Sequence, residues 1–100
     1  MTAIDYAPRA LADLERIAEF LLDDDPHAAA ETSKLVVHAL EVLRQHPHIG
    51  RPAEAGFREL VIARGRSGYL ALYCYDEATD WITVYAIRHQ RKAGYDPQKR

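Results

Sequence analysis

Arg88, His89, Arg91 and Lys92 follow an apolar run, and Tyr95 comes three residues later. They form the densest local gathering of reactive side chains in the sequence. Guanidinium and ammonium groups hold anions, an imidazole exchanges protons near neutral pH, and a phenol both donates and accepts hydrogen bonds. Arg58, Arg64 and Arg66 lie on the preceding segments and extend the cluster if those segments run side by side. The group describes a contact surface for a target macromolecule. The plainer alternative is a solvated strand end, the common fate of charge runs, and Arg64 and Arg66 equally suit a solubilised turn.

Other reactive residue types carry less. His27, His38, His46 and His48 match no zinc spacing and have no cysteine or acidic ligand paired with them, so no metal site and no cofactor are expected. Ser67 beside Gly68 lacks a base and an orienting group, which a nucleophile needs. Tyr69, Tyr73, Tyr75 and Tyr85 offer ring faces to nucleic-acid bases, yet their alternation inside strands suits core and cross-strand packing for at least two of them.

The elements that position these residues divide the chain in two. A short extended segment near Ala3 to Tyr6 precedes Pro8, whose fixed φ suits a first helical turn. Leu11, Leu14, Ile17, Ala18, Leu21 and Leu22 then recur at helical spacing, while Asp13, Glu15, Arg16 and Glu19 are expected to face elsewhere. Asp25 before Pro26 caps a second helix with the stripe Ala29, Thr32, Val36, Ala39, Leu40 and Leu43, ending by Pro47. So short a connection makes the pair an antiparallel hairpin.

HPHIGRPAEAG reads as a loop from its prolines and glycines. Three strands follow within FRELVIARGRSGYLALYCYDEATDWITVYAIRHQR, separated by turns at GRSG and DEATD. Tyr69, Ala71, Tyr73 and Tyr75 share one face of the middle strand, and Trp81 is expected to anchor the helical hairpin. The fold class is α+β: an N-terminal helical hairpin packed on a small antiparallel sheet, in a single domain spanning residues 1–100.

The chain has 100 residues, 48% of them hydrophobic, which suits one core. The lone Cys74 excludes an internal disulfide and fits a reducing compartment, so a cytoplasmic location is expected. No apolar run approaches the ~20 residues of a membrane span, and MTAIDYAPR lacks the pattern of a signal peptide. Residues 1–55 carry ten acids against five bases, a charge of -5; residues 56–100 carry eight bases against five acids, a charge of +3. A net charge of -2 and a pI near 6.2 argue against unaided nucleic-acid binding, so no specific DNA binding is expected without a partner.

PRALADLERIAEFL, HP..G.P, R.L....GY.ALY and I.V.AIRHQR in this order resemble the RelE/ParE superfamily of toxins from type II toxin-antitoxin pairs, over essentially the whole chain. The resemblance implies neutralisation by a small cognate antitoxin that wraps the toxin and covers its apolar grooves. It also implies one of two activities. RelE-like members cut messenger RNA in the ribosome with cationic side chains and a C-terminal aromatic, which places His89, Arg91 and Tyr95 as the catalytic candidates here. ParE-like members inhibit DNA gyrase by protein binding.

The RelE pattern commonly places an arginine after the tyrosine of the central strand, as in GYR..Y. Here Leu70 follows Tyr69, and leucine cannot stabilise the anionic transition state of phosphodiester cleavage. Glu59 to Ala63 likewise offer no cation before Arg64. The ParE-like branch, with a target-binding surface of Arg58, Arg64, Arg66, Arg88, His89, Arg91, Lys92 and Tyr95, therefore fits better. The alternatives are ribosome-dependent messenger-RNA cleavage and a non-toxic member that acts only as a binding module.

Overall fold

The computed structural model describes residues 2–62 and 68–89, apart from the side chains of Asp24 and Ala28. Arg64, Arg66, Arg91, Lys92 and Tyr95 lie outside the described residues.

Helix α1 (Pro8–Asp24) begins with Pro8 in the first turn, where its missing N–H removes no bond. No side chain caps this end; instead the Ala7 N–H donates to the Val84 carbonyl at 2.9 Å, tying the helix entry to a strand. Asp25 has extended geometry and ends the helix. Its carboxylate then accepts the His27 N–H at 3.1 Å and so opens α2 (Pro26–Gln45). A single residue between the helices enforces the antiparallel hairpin expected from the sequence. Ala29, Val36, Leu40 and Leu43 are buried, as their stripe requires. In α1 the buried side is instead centred on Ala10, with Leu14 and Ile17 packed beside it, and Leu11 and Leu22 are exposed.

The strands are β1 (Ala3–Tyr6), β2 (Arg51–Pro52), β3 (Arg58–Val61), β4 (Tyr69–Asp76) and β5 (Trp81–His89), in the spatial order β1-β5-β4-β3-β2. Strands β3, β4 and β5 are antiparallel as expected, but the sheet is mixed, because β1 runs parallel to β5 from Ala3 opposite Trp81 to Tyr6 opposite Val84. This pairing covers the first half of an edge that β5 would otherwise leave open. Arg51 and Pro52 extend the other edge from within the segment read as loop, and proline is tolerated there because an edge strand can spare an N–H.

Tyr69, Ala71 and Tyr73 are buried toward the helices with Leu60, Ile82, Val84 and Ile87, and Tyr75 packs partly buried beside them. The predicted facing of β4 is the observed one. Trp81 does not anchor the hairpin: it is 46% exposed, one residue out of phase with Ile82 and Val84, which take the core positions.

Between β4 and β5 the register passes from Leu72 opposite Ala86 to Tyr73 opposite Val84, leaving Tyr85 as the extra residue of a bulge. The bulge sits just past the point where β1 stops. Beyond it the free edge of β5 presents the Ile87 N–H, and α1 crosses that edge. Asp13, expected on the solvent side, is only 3% exposed and accepts the Ile87 N–H at 2.9 Å. Its other oxygen accepts from Arg16, and Arg9 lies 3.9 Å away. The carboxylate is buried because a backbone donor on the sheet edge needs an acceptor.

Tyr73 fastens the loop after α2. Its hydroxyl accepts the Gly50 N–H at 2.9 Å and donates to the Pro47 carbonyl at 2.8 Å. The loop is also held by His48, whose ring meets Tyr75 edge-on at 5.2 Å and whose Nε2 is 3.0 Å from Glu77. In the turn between β4 and β5, Asp76 accepts the Ala78 N–H at 3.0 Å, and Asp80 takes a left-handed φ of 57°.

Asp80 Oδ1 accepts from the Thr2 and Tyr75 hydroxyls, both at 2.7 Å, and these bonds hold its carboxyl below the ordinary carboxylate range. A lowered folded pKa contributes stability that is present above the unfolded value and is lost as pH falls through the folded one. Asp80→Asn is therefore expected to lower the urea midpoint at neutral pH and to leave it nearly unchanged at the acid end of the titration. Parallel slopes for mutant and wild type below about pH 4, where a carboxyl begins to protonate, would contradict this linkage.

Candidate functional site

The sheet face turned away from the helices is built from residues that alternate with the core. Pairing places Val61, Leu70 and Arg88 in one row across β3, β4 and β5, and Glu59, Leu72 and Ala86 in the next. Leu70 is only 7% exposed, whereas Val61 and Arg88 are exposed. At the bulge the exposed Tyr85 ring meets Phe57 edge-on at 5.2 Å. Trp81 completes an apolar and aromatic surface on this side. Its charged residues include Arg88, Asp76 beside Trp81, and the pair Arg51 and Glu59, bonded at 3.1 Å.

The three sequence-predicted residues that lie among the described ones, Arg58, Arg88 and His89, do not share one face. Arg58 pairs with Tyr73 and points to the helix side, where its Nη1 donates to the Gly50 carbonyl at 2.7 Å and the His48 carbonyl at 3.3 Å. It braces the Gly50 loop. Arg88 and His89 are consecutive in a strand and so lie on opposite faces. His89 meets Tyr69 edge-on at 5.1 Å on the helix side, and burial pushes the Tyr69 hydroxyl pKa up. Among the described residues, Arg88 remains as the predicted cation on the outer face.

The sequence also hid two features. An apolar trough of about 730 Å³ lies along the helical hairpin, lined by Leu11, Leu14, Val36, Val37 and Leu40, with Glu15 at its wall. Leu11 and Val37 are exposed there. Leu11 belonged to the predicted stripe, and its exposure in the hairpin is what signals the trough. The second feature is the burial of Asp13, which binds Arg16 and has Arg9 3.9 Å away; the sequence held no signal for it, because Asp13 lies on the side of the helix assigned to solvent. Among the described residues no three His, Cys, Asp or Glu side chains cluster in a way that could hold a metal, and no helix is long and apolar enough to cross a membrane.

Comparison with known proteins places this geometry. The sequence pattern described as ParE toxin of type II toxin-antitoxin system, parDE, matches residues 4–94. Toxin RelE3 of Caulobacter vibrioides is 33% identical over 90 residues, covering 89% of this chain and 95% of the relative. Toxin RelE1 of the same organism is 37% identical over 65 residues, covering 65% of this chain and 70% of its own length. Among solved structures, a chain of the chromosomal ParDE toxin-antitoxin system of P. aeruginosa superposes with a TM-score of 0.75 at 24% identity, covering 89% of this chain and 96% of that one. A chain of the RelBE2 toxin-antitoxin complex of Mycobacterium tuberculosis gives a TM-score of 0.59 at 20% identity, covering 89% and 98%. The family match over residues 4–94 and the 33% identity to Toxin RelE3 identify the chain, whose two helices on a mixed sheet agree with them, as a member of the ParE toxin family of type II toxin-antitoxin systems, within the RelE/ParE superfamily.

Proposed function

We propose that this toxin inhibits DNA gyrase by binding it, and that a cognate antitoxin neutralises the toxin by covering its apolar surfaces. The observation that carries the first part is the row Val61, Leu70 and Arg88. Phosphodiester cleavage by a neighbouring 2'-hydroxyl places extra negative charge on the phosphate, and the enzyme must meet it with several preorganised cations. This row supplies one, flanked by two aliphatic side chains. In the adjoining row Glu59 is bonded to Arg51, so that guanidinium is engaged by a carboxylate rather than left free for a phosphate. An apolar and aromatic face of this kind suits a protein partner, because desolvating it is favourable and aromatic anchors dominate protein interfaces.

The antitoxin part is supported by the exposed trough along the hairpin, which has the apolar character a disordered segment needs to fold onto a template. The cytoplasm, where gyrase works, is the proposed site of action. A second reading, ribosome-dependent cleavage of messenger RNA by His89, Arg91 and Tyr95, draws support from relatives named RelE. Against it, His89 is turned toward Tyr69, away from the face that carries Arg88.

Expression of the chain alone in a bacterium separates the readings. Filamentation with a DNA-damage response is the expected outcome. Immediate translation arrest with cuts at fixed codon positions would overturn the gyrase reading, and normal growth would leave only the binding module without toxicity.

A further inference from the structure

The trough along the helical hairpin is apolar at its base and acidic along one wall. Leu14, Ile17, Val36 and Leu40, buried or half-buried, line the base, and the exposed Leu11 and Val37 stand at the rim. Glu15 belongs to the α1 wall, and Glu19, also exposed, follows it by one helical turn. Among the described residues neither carboxylate has an ion-pair partner. On α2, Arg44 lies one turn past Leu40 and is already engaged by Glu41 at 3.5 Å.

The shape of the trough sets the form of its occupant. The α1 wall runs from Pro8 to Leu21, about 20 Å at the rise of an α-helix. Its lining offers the hydroxyls of Tyr6, Thr32 and Ser33 and the Glu15 carboxylate, too few groups to pair the backbone of an extended segment of that length. A helix satisfies its peptide groups internally and needs to present only apolar side chains at three- and four-residue spacing.

Charge sets the partner. Residues 1–55 carry a charge of -5, which repels nucleic-acid phosphates and anionic lipid headgroups. A second copy of this chain would bring the same acidic helices and be repelled as well. Covering the rim also draws water from Glu15 and Glu19, so an occupant without cations would leave two carboxylates desolvated and unpaired.

We infer that the trough takes an amphipathic helix of the cognate antitoxin, with lysine or arginine side chains one turn apart on the flank that meets Glu15 and Glu19. The inference rests on the reading that an antitoxin covers this surface, and it adds the form and the charge of the covering segment. The acidic wall then selects among partners that offer similar apolar stripes.

The test titrates full-length toxin into labelled helical peptides of about fourteen residues, long enough to span the trough, and reads fluorescence anisotropy. Two peptides share one leucine stripe and differ in its flanks, lysine in one and glutamate in the other; a third keeps the lysines and scrambles the stripe. The lysine peptide is expected to bind the wild type at least about tenfold tighter than the glutamate peptide, by a margin that shrinks with added salt. Glu15→Lys with Glu19→Lys should invert that order, and Leu11→Ser with Val37→Ser should weaken both. All four side chains are exposed, and thermal melting checks each fold. If the charge reversal lowers the melting point, Glu15→Gln with Glu19→Gln decides, with the margin expected to vanish.

Equal affinity for the two flanked peptides, a margin that survives in the folded charge variant, or equal binding of the scrambled peptide would overturn the inference. The partner is tested with the product of the reading frame beside this gene, which should bind the wild type at least about tenfold tighter than the charge variant. Equal binding to both would remove the antitoxin's basic helix from the trough. A neighbouring product that binds neither would sink the antitoxin reading and with it the named occupant, while the peptides would still decide the form and charge that the trough selects.

Discussion

Gly50→Ala is expected to destabilise the protein by about 2–4 kcal/mol, combining overpacking with a weakened hydrogen bond. A Cβ at residue 50 would lie 2.7 Å from both Cε1 and the hydroxyl oxygen of Tyr73, and 2.8 Å from the Glu59 carbonyl. Neither neighbour is the loose end of a flexible chain. Tyr73 is fully buried and held at its hydroxyl by Pro47 and Gly50, and Glu59 belongs to a paired strand. Relief would require the loop to lift, which would break the Gly50 N–H bond to Tyr73 and draw the Gly50 carbonyl from Arg58. Against a total of roughly 5–15 kcal/mol the loss is large, and the urea midpoint should fall well below that of the wild type. Tyr73→Phe is the companion test. It keeps the ring and leaves the Gly50 N–H and Pro47 carbonyl unpaired, for an expected cost of about 1–3 kcal/mol. An unchanged midpoint for Gly50→Ala would show that the loop does not need its close approach to the ring.

Asp13→Ala has the second large expected effect, about 1–3 kcal/mol, from the buried donor left without an acceptor. The arginine contacts add little, since both guanidinium side chains are mostly solvated. Asp13→Asn separates the two contributions: its amide oxygen can still accept from Ile87, so most of the stability should return although the ion pairs are gone. Hydrogen exchange gives a local reading. The Ile87 amide should exchange much faster in Asp13→Ala than in Asp13→Asn, while the Ala7 amide, bonded to Val84 on the far side of the bulge, should change little beyond the global effect. Equal protection of Ile87 in all three proteins would remove Asp13 from this role.

Local rules made much of the fold readable. Pro8, Asp25 and Pro26 punctuate the helices where capping chemistry requires, and the period of two in Tyr69 to Tyr75 gave the correct facing of β4. What stayed hidden depends on contacts distant in sequence. Nothing local in Ala3 to Tyr6 reveals a parallel partner at Trp81 to Val84, because that pairing joins the two ends of the described chain. Asp13 looks like a surface acid in a helical pattern. Only a strand edge left open by the end of β1 and shifted by the bulge at Tyr85 makes its burial favourable.

For the candidate residues that lie among the described ones, strand phase decided the placement. Arg58 lies in the cationic stretch of the sequence, but the strand period sends it to the loop carbonyls, and the same period separates Arg88 from His89. The sequence offered Leu70 as a missing cation, and the pairing puts it beside Val61 and Arg88 on the outer face. Trp81 shows the limit of residue type as a guide, since a large aromatic at a strand start belongs to the core only if its phase allows.

The most direct measurement gives the purified chain to DNA gyrase in a supercoiling reaction and, in parallel, to ribosomes programmed with a defined messenger RNA. Loss of supercoiling with the transcript intact is the predicted result. Cleavage of the transcript at ribosome-positioned sites with supercoiling unaffected would contradict the claim that this toxin works by binding a protein.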